Sequence, residues 1–241
     1  AFSMSKVLEL EKVSRVFSSG VFRTHTIRAV DEVSFALERG KTFGLVGNSG
    51  CGKTTLSRMI TRVLRPTSGR ICFEGKDVAA FDRRQRKAYH RRVQVIFQNP
   101  EGSLDPSMRI VDSLLEVMAI HHLGVGKEER MGRIQTALKQ VGLPDYLLSR
   151  YPHQISGGEG QRLVICRALL LEPEVLLLDE PTSMLDVSVQ ASIMNLLRDL
   201  QQELGLTYLY ITHDIELLGW ISHTIGVMQR GRLVEVGSRE Q

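Results

Sequence analysis

Apolar and polar positions form short strand-like runs in the first part of the chain and follow a period near 3.6 in the middle. Residues 7–46 contain "VLELEKVSRVF", "RAVDEVSFAL" and "TFGLVG", and this pattern of short apolar and alternating runs predicts strands. Residues 99–154 contain "RIVDSLLEVMAIHHL" and "KEERMGRIQTALKQVGL", whose apolar spacing predicts amphipathic helices. The pattern therefore separates a strand-rich beginning from a helical middle segment.

Strands and helices alternate in the second half of the chain. A helix is predicted at about 158–171, followed by the apolar strand "EVLLLD", a second helix at about 187–204 and the strand "LTYLYIT". The segment "TIGVMQRGRLVEVG" then predicts a hairpin. Strands that alternate with helices predict a mostly parallel sheet with both faces covered.

A glycine-rich stretch, "GNSGCGKTT", carries the clearest chemistry. It fits G-x-x-x-x-G-K-[ST], follows the predicted strand "TFGLV" and opens a helix predicted to end near Val63. Its backbone N–H groups can surround the α- and β-phosphates of a nucleotide, Lys53 can reach the β- and γ-phosphates, and Thr54 can offer its hydroxyl to Mg²⁺. The predicted contacts are Gly47, Asn48, Ser49, Gly50, Cys51, Gly52, Lys53, Thr54 and Thr55.

Two adjacent acids follow a buried strand in "VLLLDEP". In a P-loop enzyme the strand-end aspartate, here Asp179, holds Mg²⁺, and the next carboxylate, Glu180, can take a proton from the attacking water. The segment "YITHD" places His213 just after the next strand, where an imidazole can contact a γ-phosphate.

The net charge limits the kinds of partner that we expect, and the cysteine content indicates the cellular compartment. Lys+Arg 31 against Asp+Glu 27 leaves a net charge of only +4, so we predict no nucleic-acid partner. The densest basic run, "RRQRKAYHRR" at 83–92, is more typical of a solvated helix face than of a binding patch. The three cysteines show neither metal-ligand spacing nor an even disulfide set, which fits a reducing cytoplasm.

No signal peptide or membrane span is predicted. The longest apolar stretch, "LVICRALLLEPEVLLLDEP", is interrupted by charged residues and Pro173. Any membrane role is therefore expected to come through a partner.

Six motifs in this order resemble those of the ATP-binding cassette (ABC) ATPases. They are "GNSGCGKTT", the glutamine of "VIFQNP", "ISGGEGQR", "VLLLDEP", "SMLD" and "ITHD", and the resemblance covers nearly all of residues 7–237. The resemblance and the periodicity predict one α/β domain over 1–241. Its P-loop NTPase (RecA-like) core with a mixed sheet occupies 1–98 and 165–241, with antiparallel N-terminal strands and an inserted α-helical subdomain at 99–164.

The resemblance also implies roles for single residues. It implies that Gln98 senses Mg²⁺ and water, that Glu180 is the general base, that His213 is the γ-phosphate switch and that Asp186 lies in a loop that crosses a dimer. An aromatic residue near the N-terminus stacks on adenine in this family. Phe17 and Phe22 are the candidates, and a packing role is about equally compatible with either.

The loop "ISGGEGQR" is implied to complete the ATP site of a facing subunit. Ser156 and the N–H groups of Gly157 and Gly158 would then donate to a γ-phosphate bound by the partner's P-loop. Ile155 replaces the usual leucine, and Glu159 stands where glutamine is commonest. A carboxylate beside a phosphate repels it, so we expect somewhat slower turnover unless Glu159 points away.

The resemblance extends to a branch of the family. "FQNPEGSLDPSMRI" is similar to ATPases of peptide and nickel importers, and "FDRRQRKAYHRRVQVIFQ" looks closest to the nickel-type subset. This implies a peripheral subunit on the cytoplasmic face of the cell membrane that uses ATP and Mg²⁺. The implied partners are a second ATPase subunit, identical or different, two permease subunits and an extracytoplasmic substrate-binding protein.

Three other classes fit the sequence less well. A soluble, non-transport ABC ATPase usually carries two cassettes or a long coiled coil, and the sequence shows neither. A GTPase or small-molecule kinase would leave "ISGGEGQR" unexplained and would need an N-K-x-D guanine reader or a lid. A regulatory module with a dead site conflicts with the intact Lys53, Asp179, Glu180 and His213.

Overall fold

The computed structural model describes residues 6–19, 25–98 and 101–238. Within these residues the chain forms two sheets and seven α-helices. The smaller sheet has the order β2-β1-β4-β5 and is antiparallel throughout. Its strands are β1 Lys6–Ser19, β2 His25–Glu38, β4 Ser68–Phe73 and β5 Lys76–Asp77.

The larger sheet holds the centre of the fold, in the order β10-β9-β3-β8-β7-β6. Its neighbouring strands are parallel except for the terminal β9–β10 pair, so the sheet is mixed. The strands are β3 Thr42–Val46, β6 Val93–Ile96, β7 Val175–Asp179, β8 Thr207–Thr212, β9 Thr224–Gln229 and β10 Arg232–Ser238.

Helices cover both faces of the larger sheet. The two apolar layers follow from the period of two in a strand: Val175 and Leu177 of β7 belong to one buried cluster, and Leu176 and Leu178 belong to the other. The helices are α1 Lys53–Ile60, α2 Arg83–Arg92, α3 Ile110–Ile120, α4 Gly126–Gln140, α5 Gly157–Leu169, α6 Val187–Leu204 and α7 Ile215–Ile221.

The structure agrees with the predicted strands and α-helices and adds helix α7 and the two-residue strand β5. The helix after the P-loop is shorter than expected, because Arg62 adopts a left-handed backbone conformation (φ 61°) just after Ile60. Helix α7 was not predicted, although Asp214 caps it by accepting from the backbone N–H groups of Glu216 and Leu217. The predicted fold class, with its mixed sheet and antiparallel N-terminal strands, is confirmed.

The helical middle segment shares a buried layer with the core. Leu114 of α3 and Leu138 of α4 lie in the same apolar cluster as Leu178 and Tyr208 of the central sheet. Helix α5 also crosses the predicted boundary between residues 164 and 165. The division of the chain at 99–164 stays a prediction.

Candidate nucleotide site

The P-loop connects strand β3, near the centre of the large sheet, to helix α1. Strand β3 pairs with β8 on one side and β9 on the other, so its carboxyl end is fixed from both sides. The loop turns at Gly50 (φ 76°), and Gly52 (φ 110°) precedes the first helical residue, Lys53. The first turn of α1 contains no acidic side chain, so its N-terminus keeps the partial positive charge that attracts a phosphate.

Two glycines of the loop are required by close backbone contacts. A Cβ at Gly47 would lie 2.3 Å from the carbonyl oxygen of Met228, and a Cβ at Gly52 would lie 2.2 Å from that of Ala29. Both separations are far below van der Waals contact. The P-loop is therefore held between β2 and β9, in a space that larger residues would close.

Lys53 lies across the loop that it follows. Its Nζ donates to the carbonyl oxygens of Gly47 (2.5 Å) and Asn48 (3.0 Å), and its side chain is 7% exposed. Cys51 is buried beside it, with Sγ 3.8 Å from Nζ. The ammonium is thus anchored where loop backbone and helix N-terminus converge.

The two acids that follow β7 lie in different environments. Asp179 is 8% exposed, and burial of its carboxyl, followed by the charge of Glu180, raises its pKa. Lys53, Arg58 and a hydrogen bond from Thr54 act in the opposite direction. Glu180 has a left-handed backbone (φ 51°), and its N–H donates to the carbonyl oxygen of Ile211. A non-glycine residue held in this conformation is often found at a functional site.

His213 contacts Glu180 directly. Its Nδ1 lies 3.2 Å from Glu180 Oε1, and its side chain is 63% exposed. The imidazole therefore has one nitrogen toward the carboxylate and most of its ring toward solvent.

One cavity of about 500 Å³ collects most of the predicted phosphate and metal contacts. It is lined by Ala29, Ser49, Gly50, Gly52, Lys53, Thr54, Thr55, Phe97, Gln98, Asp179 and Glu180. Ala29 and Phe97 were missed by the sequence reasoning. Phe97 directly precedes the predicted site residue Gln98 in "VIFQ", and this position could have identified it. Its side chain is 45% exposed. Ala29 had no local signal, since only the packing of β2 on the P-loop brings it there.

The predicted signature residues lie elsewhere, at the start of α5. Ser156 is its N-cap, and Glu159 closes a capping box with it. Oε2 of Glu159 accepts from both the backbone N–H and the hydroxyl of Ser156, each at 2.8 Å. These hydrogen bonds lower the pKa of Glu159. The carboxylate is therefore held against the Ser156 end of the helix.

Asp186 is placed beside this loop. It caps α6, accepting from the N–H of Val189 (3.0 Å) and the hydroxyl of Ser188 (2.6 Å). Helix α5 packs closely on α6, because a Cβ at Gly158 would lie 2.7 Å from Cγ1 of Val189, and a Cβ at Gly157 would lie 3.5 Å from Leu185. The structure thus brings the Ser156 loop and the Asp186 loop together.

None of the residues from Ser156 to Glu159 lines the P-loop cavity. Phe17 does not line it either: its ring is 37% exposed and lies under the guanidinium of Arg15, at 4.7 Å. Phe22 lies outside the described residues. The chain therefore carries two separate groups of predicted site residues, and adenine stacking by Phe17 stays a prediction.

Residues 30–183 match the protein family described as ABC transporter. The chain is 44% identical to the oligopeptide transport ATP-binding protein OppF of Bacillus subtilis over 239 residues, which is 98% of this chain and 77% of that protein. Its fold matches cbiO1 of Clostridium perfringens, part of the ABC transporter complex cbiONQ, with a TM-score of 0.85 and 29% identity over 98% and 90% of the two chains.

A second solved structure is equally similar. The ATP-binding cassette MJ0796, determined as a dimer in a post-hydrolysis state with ADP and Pi, matches with a TM-score of 0.84 and 27% identity over 96% of this chain and 98% of that one.

The fold and the P-loop cavity define an ATP-binding cassette. The chain belongs to the ABC transporter family. This confirms the predicted family and the assignment as an ABC ATPase subunit. In the described part of the chain, no helix combines the length and apolarity that a membrane span needs.

Proposed function

We propose that this chain hydrolyses ATP to power an ABC importer of peptides. The observation that carries the proposal is the joint lining of one cavity by Lys53, Thr54, Gln98, Asp179 and Glu180. The 44% identity to OppF of Bacillus subtilis, an oligopeptide transport protein by name, favours peptide over nickel as the cargo. No observation on this chain favours the nickel-type subset beyond the sequence resemblance.

The mechanism follows from the placement of each group. Lys53 and the N-terminus of α1 bind the β- and γ-phosphates of ATP and balance the charge that develops there. Glu180 accepts the proton of the attacking water, and His213, 3.2 Å from it, orients this carboxylate and contacts the γ-phosphate. Ser156 and the N–H groups of Gly157 and Gly158 complete the site of a facing subunit when two subunits close, and Asp186 lies in the loop between the two sites.

The acids and hydroxyls fit a magnesium ion. Asp179 is a buried carboxylate whose pKa is raised by burial and by the charge of Glu180, and the Thr54 hydroxyl donates a hydrogen bond to it. Hard oxygen ligands of this kind are those that Mg²⁺ prefers. Thr54, Gln98 and Asp179 would hold the ion, which would neutralise charge on the β- and γ-phosphates.

The partners in this proposal come from the family. A second ATPase subunit, identical or different, supplies the facing half-sites, two permease subunits form the pathway, and a substrate-binding protein delivers the peptide. The chain would act at the cytoplasmic face of the membrane. The segment 99–164 would form the helical subdomain next to which a permease docks.

The test compares Glu180→Gln with the unmodified chain in the assembled importer. The variant keeps the shape of Glu180 but loses the base, so it should bind ATP while turnover falls by roughly 10² or more. Glu216→Gln, an exposed acid in the first turn of α7, is the matched control and should leave turnover unchanged. Unchanged turnover in Glu180→Gln would place the base elsewhere.

The cargo is tested in the same assembly. Hydrolysis should rise when the binding protein is loaded with oligopeptides and should not respond to a nickel salt. Stimulation by nickel alone would replace the peptide assignment while leaving the ATPase assignment intact.

A further inference from the structure

A basic pocket lies at the end of α1 opposite the P-loop. The pocket has a volume of about 390 Å³ and shares no lining residue with the nucleotide cavity. Helix α1 has eight residues, so its two ends are roughly 12 Å apart. The charged and imidazole side chains that line the pocket are Arg62, Arg65, Arg70, Arg86, His90 and Asp77.

Three of these arginines line the pocket with one carboxylate, Asp77, among them. Among the described residues, Arg62, Arg65 and Arg86 form no ion pair, whereas Arg70 pairs with Glu11 at 2.6 Å. The Asp77 carboxylate is engaged with the backbone N–H of Ala79. Burial, followed by the charge of Arg86, lowers the pKa of Arg62, and the weaker effects of Tyr89 and Asp77 in the opposite direction do not cancel this. The pocket is therefore a region of concentrated positive charge.

Arg62 is the centre of this arrangement. Its Nη1 is buried and has no hydrogen-bond partner among the described residues. A buried guanidinium nitrogen without an acceptor is costly, because it has lost water without gaining a partner. The residue also holds the left-handed position after the end of α1 (φ 61°), which glycine normally occupies. His122 and Glu172 hold the same backbone conformation after α3 and α5, so it is the unpartnered buried nitrogen of Arg62 that points to a ligand.

The other face of α2 shows the contrast. There Arg91 pairs with Glu172 at 2.7 Å, and Arg92 pairs with Glu74 at 2.6 Å and with Glu174. Helix α2 thus has ion-paired arginines at its end and one arginine without an ion pair, Arg86, at the pocket. The helix dipole at the end of α1 attracts a cation, but it does not account for three cations that crowd one another.

We propose that this pocket binds a phosphoryl group. Planar guanidinium groups on several sides match the oxygens of a phosphate ester, and the buried Met59, Ile71 and Val78 line the same pocket and can contact an attached carbon chain. The phosphoryl group can belong to a soluble phosphate ester or to the headgroup of an anionic lipid, which share this chemistry.

The variants are chosen so that they fold. Arg62→Gly removes the central charge and places glycine at a left-handed position, so the stability of the chain should not fall. Arg86→Gln removes a second charge from the exposed surface of α2. Arg84→Gln is the matched control, because it makes the same charge change on the same exposed helix but does not line the pocket.

Binding is measured with the nucleotide site saturated by a non-hydrolysable ATP analogue. Glycerol 3-phosphate is titrated by calorimetry, and vesicles of phosphatidylglycerol or phosphatidylcholine are tested by co-sedimentation. Arg62→Gly and Arg86→Gln should each weaken binding of the phosphoryl probe by about tenfold or more, as expected for a lost charge-assisted hydrogen bond, while Arg84→Gln changes it little. Binding of glycerol 3-phosphate identifies a soluble ester, and binding of phosphatidylglycerol vesicles alone identifies a headgroup.

Three results would overturn the proposal. The first is that neither probe binds the unmodified chain at millimolar concentration. The second is that Arg84→Gln weakens vesicle binding as much as Arg86→Gln, which would indicate diffuse surface charge. The third is that a probe binds Arg62→Gly as tightly as the unmodified chain while this variant no longer assembles with the permease, which would assign the pocket to a protein carboxylate. The readout does not depend on hydrolysis, so it stands apart from the proposed function.

Discussion

At the scale of single residues, Asp179 is better accommodated by the fold as a neutral acid. Its pKa is raised above 3.8 in the folded chain, so folding stability falls as the pH rises from 3.8 through that raised value. Asp179→Asn removes the buried charge and should raise the unfolding temperature of the nucleotide-free chain. The gain should be constant at pH values above the raised pKa, shrink as the pH falls from that pKa toward 3.8, and vanish below 3.8. Thermal scans from about pH 3 to pH 8 measure this.

Asp199→Asn is the control for that comparison. Asp199 is on an exposed face of α6, and its side chain is 60% exposed, so its replacement should change the unfolding temperature little. A lower unfolding temperature for Asp179→Asn at pH 7.5 would contradict the inference that the buried Asp179 carboxylate destabilises the nucleotide-free chain. It would also remove the support that this inference gives to a Mg²⁺ site.

Glu159 places a negative charge next to the donors of Ser156. Its carboxylate holds the Ser156 hydroxyl at 2.8 Å, so this hydroxyl must exchange partners before it can donate to a phosphate. Glu159→Gln keeps an acceptor for the capping box and removes the charge. We expect turnover to rise about two- to fivefold in steady-state assays, the scale of one screened surface charge. Glu203→Gln, exposed on α6, should have no effect, and equal turnover for both variants would leave Glu159 as a capping residue only.

At the scale of elements, the packing of α5 on α6 depends on a single glycine. A Cβ at position 158 would lie 2.7 Å from Cγ1 of Val189, which is β-branched and cannot easily rotate away. Gly158→Ala should therefore lower the free energy of unfolding, measured in urea, by about 1–3 kcal/mol. The higher helix propensity of alanine offsets part of this loss.

A double-mutant cycle isolates this contact. In a Val189→Ala background the space is open, so Gly158→Ala should be neutral or stabilising. The same cost in both backgrounds would show that the glycine is needed for another reason.

Elements with local signals could be predicted from the sequence, and contacts between distant elements could not. The P-loop was predictable because its glycine and lysine spacing lies between a strand and a helix. Strand β7 was predictable because the apolar run "VLLL" directly precedes its terminal aspartate. Helix α7 was missed because seven residues are too few to show a period. The contact of Ala29 with Gly52 and the pocket around Arg62 depend on how strands and helices pack, which no local pattern records.

At the scale of the whole molecule, the two separate groups of site residues predict that activity is shared between subunits. Ser156→Arg should leave the chain's own P-loop able to bind nucleotide while hydrolysis opposite it collapses, because these donors act only when two subunits close. If the subunit self-pairs, mixing Ser156→Arg with Lys53→Ala chains creates some dimers with one intact composite site. ATPase assays on the mixture should then show partial recovery.

The control for the mixture is each variant alone, and mixed dimers must be detected directly. A mixture that stays inactive although mixed dimers form would argue against completion of the site in trans. If the subunit pairs with a different one, Ser156→Arg is combined with that unmodified partner and nucleotide binding is measured at each P-loop.

The position of β3 has a consequence for synthesis of the protein on the ribosome. Thr42 pairs with Tyr208 on one side, and Phe43 pairs with Thr224 on the other. The strand that leads into the P-loop can pair only after its partners are made, about 165 to 180 residues later. This takes on the order of ten seconds or more at ordinary rates of translation. During this interval the backbone N–H and C=O groups on both edges of β3 are without their native partners. A chain whose synthesis stops before β8 would leave these groups exposed, and they could pair with strands of other nascent chains.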